Sequence, residues 1–219
     1  MHTFIDFIMG EMVIVSFVIF IAGTCGRLLW TFIHINKTEN FIFSYLSFKY
    51  SLRSILAWLT PFLPVSSRKK PFFYSISYTF HILLFIVPIF LLSHIILFEE
   101  YLNWSWISIN DTSADILTII VILCTLFFVT RRVVVKEVKY ITRTSDFVFI
   151  IIASLPFITG FLAYHQLFAY KIIMIAHVIS GEIMLILIPF TRFFHMFIAP
   201  IIRAYTGSEF GNVRGAKDW

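Results

Sequence analysis

Five stretches of the chain stay apolar for long enough to cross a bilayer, at about residues 7–30, 72–98, 114–130, 147–164 and 168–198. The third is short at its core and is expected to extend into the TRRVVV run that starts at Thr130. Between the first two lies FIFSYLSFKYSLRSILAWLTPFLPVSSRKK, apolar but interrupted by Lys49, Arg53, Pro61 and Pro64. That mixture predicts an amphipathic helix lying in the membrane interface and then a proline-bounded turn, with a sixth span as the alternative. The expected fold is all-α: one membrane domain over residues 1–219, built as a bundle of five transmembrane helices, with a polar tail over 199–219.

Charge gives the bundle a direction. Of the 17 Lys and Arg, all but Lys171 fall at one side of the predicted spans. They occupy the loop over 34–71, the loop after the third span, the C-terminal end, and Arg27 at the inner end of span one. The positive-inside rule then predicts an outer N-terminus, a cytoplasmic C-terminus and a multi-pass protein of the inner (cytoplasmic) membrane. The loop EEYLNWSWISINDTSAD becomes an outer, acidic loop with Trp104 and Trp106 as interface anchors. The basic charge is spread over membrane-flanking loops, which argues against nucleic acid as a partner and for membrane lipid.

Composition narrows the chemistry. Hydrophobic residues make up 59% and charged residues 13%, with a mean hydropathy of +0.91, values that exclude an ordinary soluble domain. The 27 phenylalanines and 9 tyrosines are read as packing and lipid-facing bulk. Cys25 and Cys124 sit in different apolar spans, and no CxxC or CxxCH occurs. Covalent c-type haem attachment and cysteine ligation of an iron–sulfur cluster by this chain are thereby excluded. The first residues, MHTFIDFIMGE, lack Lys and Arg and do not resemble a cleaved signal peptide.

Four histidines fall at membrane depth: His81 and His94 in span two, His177 and His195 in span five. An imidazole in lipid calls for a partner that takes up its lone pair. His177 and His195 are 18 residues apart, about five turns. A continuous helix would put both on one face, roughly 27 Å apart, close to the ~30 Å depth of the hydrocarbon. Spans two and five run in opposite directions, so the expected pairs are His81 with His195 at the inner side and His94 with His177 at the outer side. Two such bis-histidine sites suit two non-covalent haems b. The 13 residues from His81 to His94 leave those rings roughly 140° apart on an ideal helix, and Pro88 between them is expected to kink the span. His34 and His165 are read as interface residues and His2 as part of a frayed terminus.

Three further residues join the candidate site. Gly181 would let a porphyrin face or a neighbouring helix approach the backbone. Arg192, one turn before His195, could pair with a haem propionate or simply snorkel to the interface. Glu182, five residues after His177, is an ionisable group at membrane depth, suited to proton or quinone chemistry or to bonding a neighbouring helix.

In span five, H-x3-G (His177 to Gly181) followed by P-F-T-R-x2-H (Pro189 to His195) resembles the dihaem gamma subunit of respiratory nitrate reductase. The resemblance implies five spans, an outer N-terminus and ligation from the same two spans. The PIFLLSH run and the tail GSEFGNVRGAKDW look closer to one branch of that family, the cytochrome b subunits of transmembrane redox complexes in sulfate-reducing anaerobes. That likeness implies a cytoplasmic iron–sulfur partner resembling heterodisulfide reductase and a periplasmic multihaem cytochrome c. A quinone, menaquinone in such anaerobes, is the other donor it allows. The nitrate-reducing members carry a lysine near the outer haem, and residues 99–115 contain none. Two function classes follow: a dihaem electron-transfer subunit, with no complete active site of its own, or a haem-free integral scaffold or transporter subunit.

Overall fold

The computed structural model describes residues 2–219, with side chains from Ile5 onward. The His2 side chain lies outside the described residues. Every regular element among them is helical: α1 (His2–Met9), α2 (Glu11–Thr38), α3 (Phe41–Tyr45), α4 (Phe48–Leu59), α5 (Val65–Lys69), α6 (Pro71–Phe90), α7 (Leu92–Leu102), α8 (Asp111–Val134), α9 (Lys136–Ile141), α10 (Thr144–Tyr164), α11 (Tyr170–Leu187) and α12 (His195–Ser208). Five helices are long and apolar enough to span: Ile5–Thr38, Pro71–Phe90, Asp111–Val134, Thr144–Tyr164 and Tyr170–Leu187. Their outer faces carry exposed Leu29, Trp30, Leu123, Leu126 and Ile172, an arrangement that only lipid makes favourable.

The helix ends follow local chemistry. Asn110 caps α8 by accepting from the Ser113 amide at 2.8 Å, and Asp111 sits in its positive first turn. Arg131 and Arg132 occupy the last turn, so the third span does extend into TRRVVV. Asp146 accepts from the Arg143 amide at 2.8 Å and starts α10. After α4, the turn with Pro61 and the fully buried Pro64 ends the helix where the sequence predicts it.

Two expected spans are not single helices. Span two, anticipated over 72–98, is α6, then an extended residue, Leu91 (ψ 127°), then α7. Span five, anticipated over 168–198, is α11, a break around the buried Pro189, a short 3-10 turn over Arg192–Phe194, and α12. Proline has no N–H to give the preceding turn and its ring crowds that turn's carbonyl, so an α-helix stops there readily. The idea that His177 and His195 share one face of one helix therefore fails, because the helix carrying His177 ends eight residues before His195.

The chain divides into two compact units. The first comprises the N-terminal segment through Met9 and Ser75–Gly181. Its core is Leu83 and Val87 of α6, Val121 of α8 and Phe157 of α10. The second comprises Gly10–Tyr74 and Glu182–Trp219. There α4 lies on α12, and small side chains permit the approach. A Cβ at Gly207 would run into Ser54 and come within 2.8 Å of the Tyr50 carbonyl. Ser51 donates to the Ala204 carbonyl (3.0 Å), the Ser47 amide donates to the Ser208 hydroxyl (3.1 Å), and the Ser54 hydroxyl bonds the Asp218 carboxylate. The other side of α4 presents Phe48, Leu52, Leu56 and Leu59, all exposed and spaced as one helical stripe.

Candidate functional site

The break at Leu91 is what aims His94. A continuing helix would bond the Pro88 carbonyl to the amide of Leu92, four residues on. With the helix interrupted, the His94 ring turns back and its Nδ1–H donates to that carbonyl at 2.8 Å. The two carbonyls that follow are also occupied. Trp106 Nε1 donates to Ile89 (2.8 Å) and the Ile109 amide to Phe90 (2.9 Å). Trp106, expected as a membrane-interface anchor, thus serves the break as well. The ideal-helix phase between His81 and His94 does not apply, because the two residues lie on separate helices, and the break falls at Leu91 rather than at Pro88, which α6 passes through.

His177 comes from the middle of α11 and meets α10 in the same unit. Its Nδ1–H donates to the Pro156 carbonyl at 2.9 Å, with Thr159 Oγ1 at 3.4 Å. The ring can come this close because residue 160 is glycine. A Cβ there would stand 2.9 Å from His177 Cε1 and 3.1 Å from Nδ1. Gly160, Thr159 and Pro156 were not foreseen from sequence. A glycine four residues after a proline, inside an apolar span, was the available signal.

The planes of the two rings lie 7° from parallel, with centroids 6.0 Å apart. That spacing lies within the ~4.5–7 Å of offset aromatic pairs. A bound metal sits ~2 Å from an imidazole nitrogen, which is itself ~1.1 Å from the ring centroid, so two rings ligating one metal from opposite sides have centroids ~6.2 Å apart. The observed spacing is near that value as well. Each Nδ1 faces a carbonyl, which only accepts, so Nδ1 carries the proton and Nε2 carries the lone pair. A backbone carbonyl on the non-ligating nitrogen is the usual way proteins orient a ligating imidazole.

His81 and His195 show the same local pattern. His81 Nδ1 bonds the Ser77 carbonyl at 2.7 Å and His195 Nδ1 bonds the Arg192 carbonyl at 2.8 Å. The two residues belong to different units, and each is held by its own helix end or turn. His165 is arranged otherwise, with Nε2 3.1 Å from an Asp115 carboxylate oxygen, and His34 stacks on Trp30. Arg192 meets the candidate ligand through its backbone carbonyl. A Cβ built at Gly181 meets no described atom within 4 Å, so no described side chain uses the approach that glycine allows. Glu182 is 4% exposed, and its Oε1 has no hydrogen-bond partner among the described residues.

Among the described residues, no three His, Cys, Asp or Glu side chains gather as a metal site. A haem iron asks less of the protein, because the porphyrin fills four positions and two axial ligands complete it. The His94–His177 pair meets that demand in number and tautomer.

Five spanning helices define a multi-pass helical membrane protein. No family model matches the chain, and no solved structure matches it. A protein of Nitratidesulfovibrio vulgaris (strain Hildenborough), whose name carries no function, is 30% identical over 213 residues, covering 95% of this chain and 94% of its own. The chain belongs to the same family as that protein.

Proposed function

We propose that this protein is a dihaem b cytochrome subunit of a respiratory complex. It would carry electrons across the cytoplasmic membrane between a quinone pool or a periplasmic cytochrome c and a cytoplasmic iron–sulfur partner. The observation that carries the reading is the 6.0 Å, near-parallel pairing of His94 and His177, each with Nδ1 on a main-chain carbonyl. His94 and His177 would hold the outer haem, and His81 and His195 the inner one. Bound haem supplies one-electron chemistry. The chain's own part is to fix each imidazole by its Nδ1 contact, to exclude water with apolar helices, and to keep Arg192 beside the inner ligand for a propionate.

Three features support the wider proposal. The positive-inside distribution supports a cytoplasmic C-terminus, and the exposed stripe of α4 supports its lying along the inner interface. The α4–α12 platform with its bonded tail offers a folded cytoplasmic face for the iron–sulfur partner. Glu182, about 7.5 Å along α11 from His177, is the group suited to move a proton with the electron, from a menaquinol for instance.

Pyridine haemochrome analysis of the purified complex is the test, with about two haems b expected for each chain. A value near zero defeats the proposal. The second reading, a haem-free scaffold or transporter subunit, draws on the two broken spans, a feature transporters use at substrate sites. Protein without a Soret band would favour it.

A further inference from the structure

The break in span five is not closed by its own helix alone. Past Leu187, the Thr191 hydroxyl bonds the Leu187 carbonyl at 2.7 Å, and the Phe194 amide bonds the Thr191 carbonyl at 3.3 Å. The Pro189 carbonyl is taken from outside. Arg27 of α2 donates through Nη1 to it at 2.6 Å, and the same nitrogen lies 3.4 Å from the Thr191 carbonyl. The guanidinium carbon stands 4.2 Å over the ring of the buried Phe194, the residue just before His195. One turn earlier on α2, Gly23 makes room for the contact, because a Cβ there would come within 2.9 Å of Pro189 Cγ. Sequence alone reads Arg27 only as one more inner-side cation. Its hydrogen-bonding geometry is that of a cap placed across two helices.

We infer that Arg27 is a positioning residue for His195. By bonding the Pro189 and Thr191 carbonyls and covering Phe194, it sets the short turn whose Arg192 carbonyl orients the His195 ring. The physical reason is the cost of an unpaired carbonyl at membrane depth, where no water replaces a lost donor. A guanidinium suits the task because it donates from several N–H groups in one plane while its face covers an aromatic ring. The inference rests on the haem reading for its effect on function, but the cap itself does not.

The test compares Arg27→Gln, Arg27→Lys and Gly23→Ala with the parent in the full-length protein, by two readouts. The first is the low-spin electron paramagnetic resonance signal and midpoint potential of each haem, assigned with His195→Ala and His177→Ala. Arg27→Gln and Gly23→Ala should shift the haem that His195→Ala removes and leave the one that His177→Ala removes. Arg27→Lys, which keeps a cationic donor but not the planar group over Phe194, should reverse part of that shift. Two unshifted haems, or two shifted alike, would overturn the inference. The second readout is amide hydrogen exchange over residues 188–196, which needs no haem. Losing one charged hydrogen bond should speed it about tenfold or more in Arg27→Gln. Unchanged exchange overturns the cap. If the parent binds no haem but exchange still accelerates, the haem reading fails while the cap stands. If Arg27→Gln does not accumulate, Gly23→Ala carries both readouts.

Discussion

The two interrupted spans solve one problem in different ways. In each, an apolar helix stops inside a long apolar run and a candidate ligand follows shortly, His94 after Leu91 and His195 after Pro189. At Leu91 the freed carbonyls are met from the C-terminal side of the break, by His94 itself, by Trp106 and by the Ile109 amide. At Pro189 the partners are Thr191 and an arginine from a different helix. The first histidine is therefore part of its own helix cap, whereas the second depends on a cap it does not make. Removing His94 strips a donor from the break; removing His195 leaves the Pro189 carbonyl bonded.

The strongest way to separate the two sites is to delete a ligand. On the dihaem proposal, His177→Ala should lower haem content from about two to about one for each chain, because each proposed site takes two histidines. The survivor should stay reducible from the cytoplasmic side, as seen in a reduced-minus-oxidised spectrum. Loss of both haems would mean that the sites are not independent.

A smaller effect is expected from Gly160→Ala. The new Cβ collides with the His177 ring, which its bond to Pro156 holds in place. Overpacking costs about 1–3 kcal/mol, and exchanging a helical glycine for alanine returns about 1 kcal/mol, so the fold should survive. The outer haem should show lowered occupancy or a shifted resonance, with the inner haem unchanged.

Gly207→Ala probes the α4–α12 contact, about three turns along α12 from His195. Crowding between α12 and α4 should loosen the platform by about 1–3 kcal/mol, seen as faster proteolysis of the 199–219 tail, with both haem signals intact. The mildest change is Trp106→Phe, which removes one neutral hydrogen bond to Ile89. It should cost about 1 kcal/mol and raise amide exchange in residues 103–110 without loss of haem. A large haem loss there would show that the outer loop supports the site more than the bonds suggest.

Much of the architecture was legible from hydropathy, because five apolar runs of spanning length admit few other readings. The breaks were not. A window average registers that LLSHIILF and LILIPFTRFF are greasy, but it does not register where a backbone turns extended. Pro88 and Pro189 were visible, yet only the second coincides with a break; Leu91, three residues past Pro88, has no breaker chemistry of its own. The four histidines were legible as residue types. The orientation of His94 and His195 depended on main-chain carbonyls at these breaks, and that of His177 on the Pro156 carbonyl and the missing side chain at Gly160, which no spacing rule reports. Arg27 was read only as an inner cation and its bonding went unread, since its partners lie more than 160 positions along the chain.

The bonds between α4 and the end of the chain also have a consequence for how the protein is made. Ser51 and Ser54 meet partners 153 and 164 residues later. At roughly 5–20 residues per second, the ribosome needs about 10–30 s to deliver those partners after α4 emerges, and four more spans must enter the bilayer in the interval. During that time the serine face of α4 is uncovered. Its opposite stripe of Phe48, Leu52, Leu56 and Leu59 can rest on the membrane surface from the start. On the proposed interfacial placement, lipid parks the helix early and the last segment synthesised locks it, so the cytoplasmic platform would mature only on chains whose final helix has been inserted.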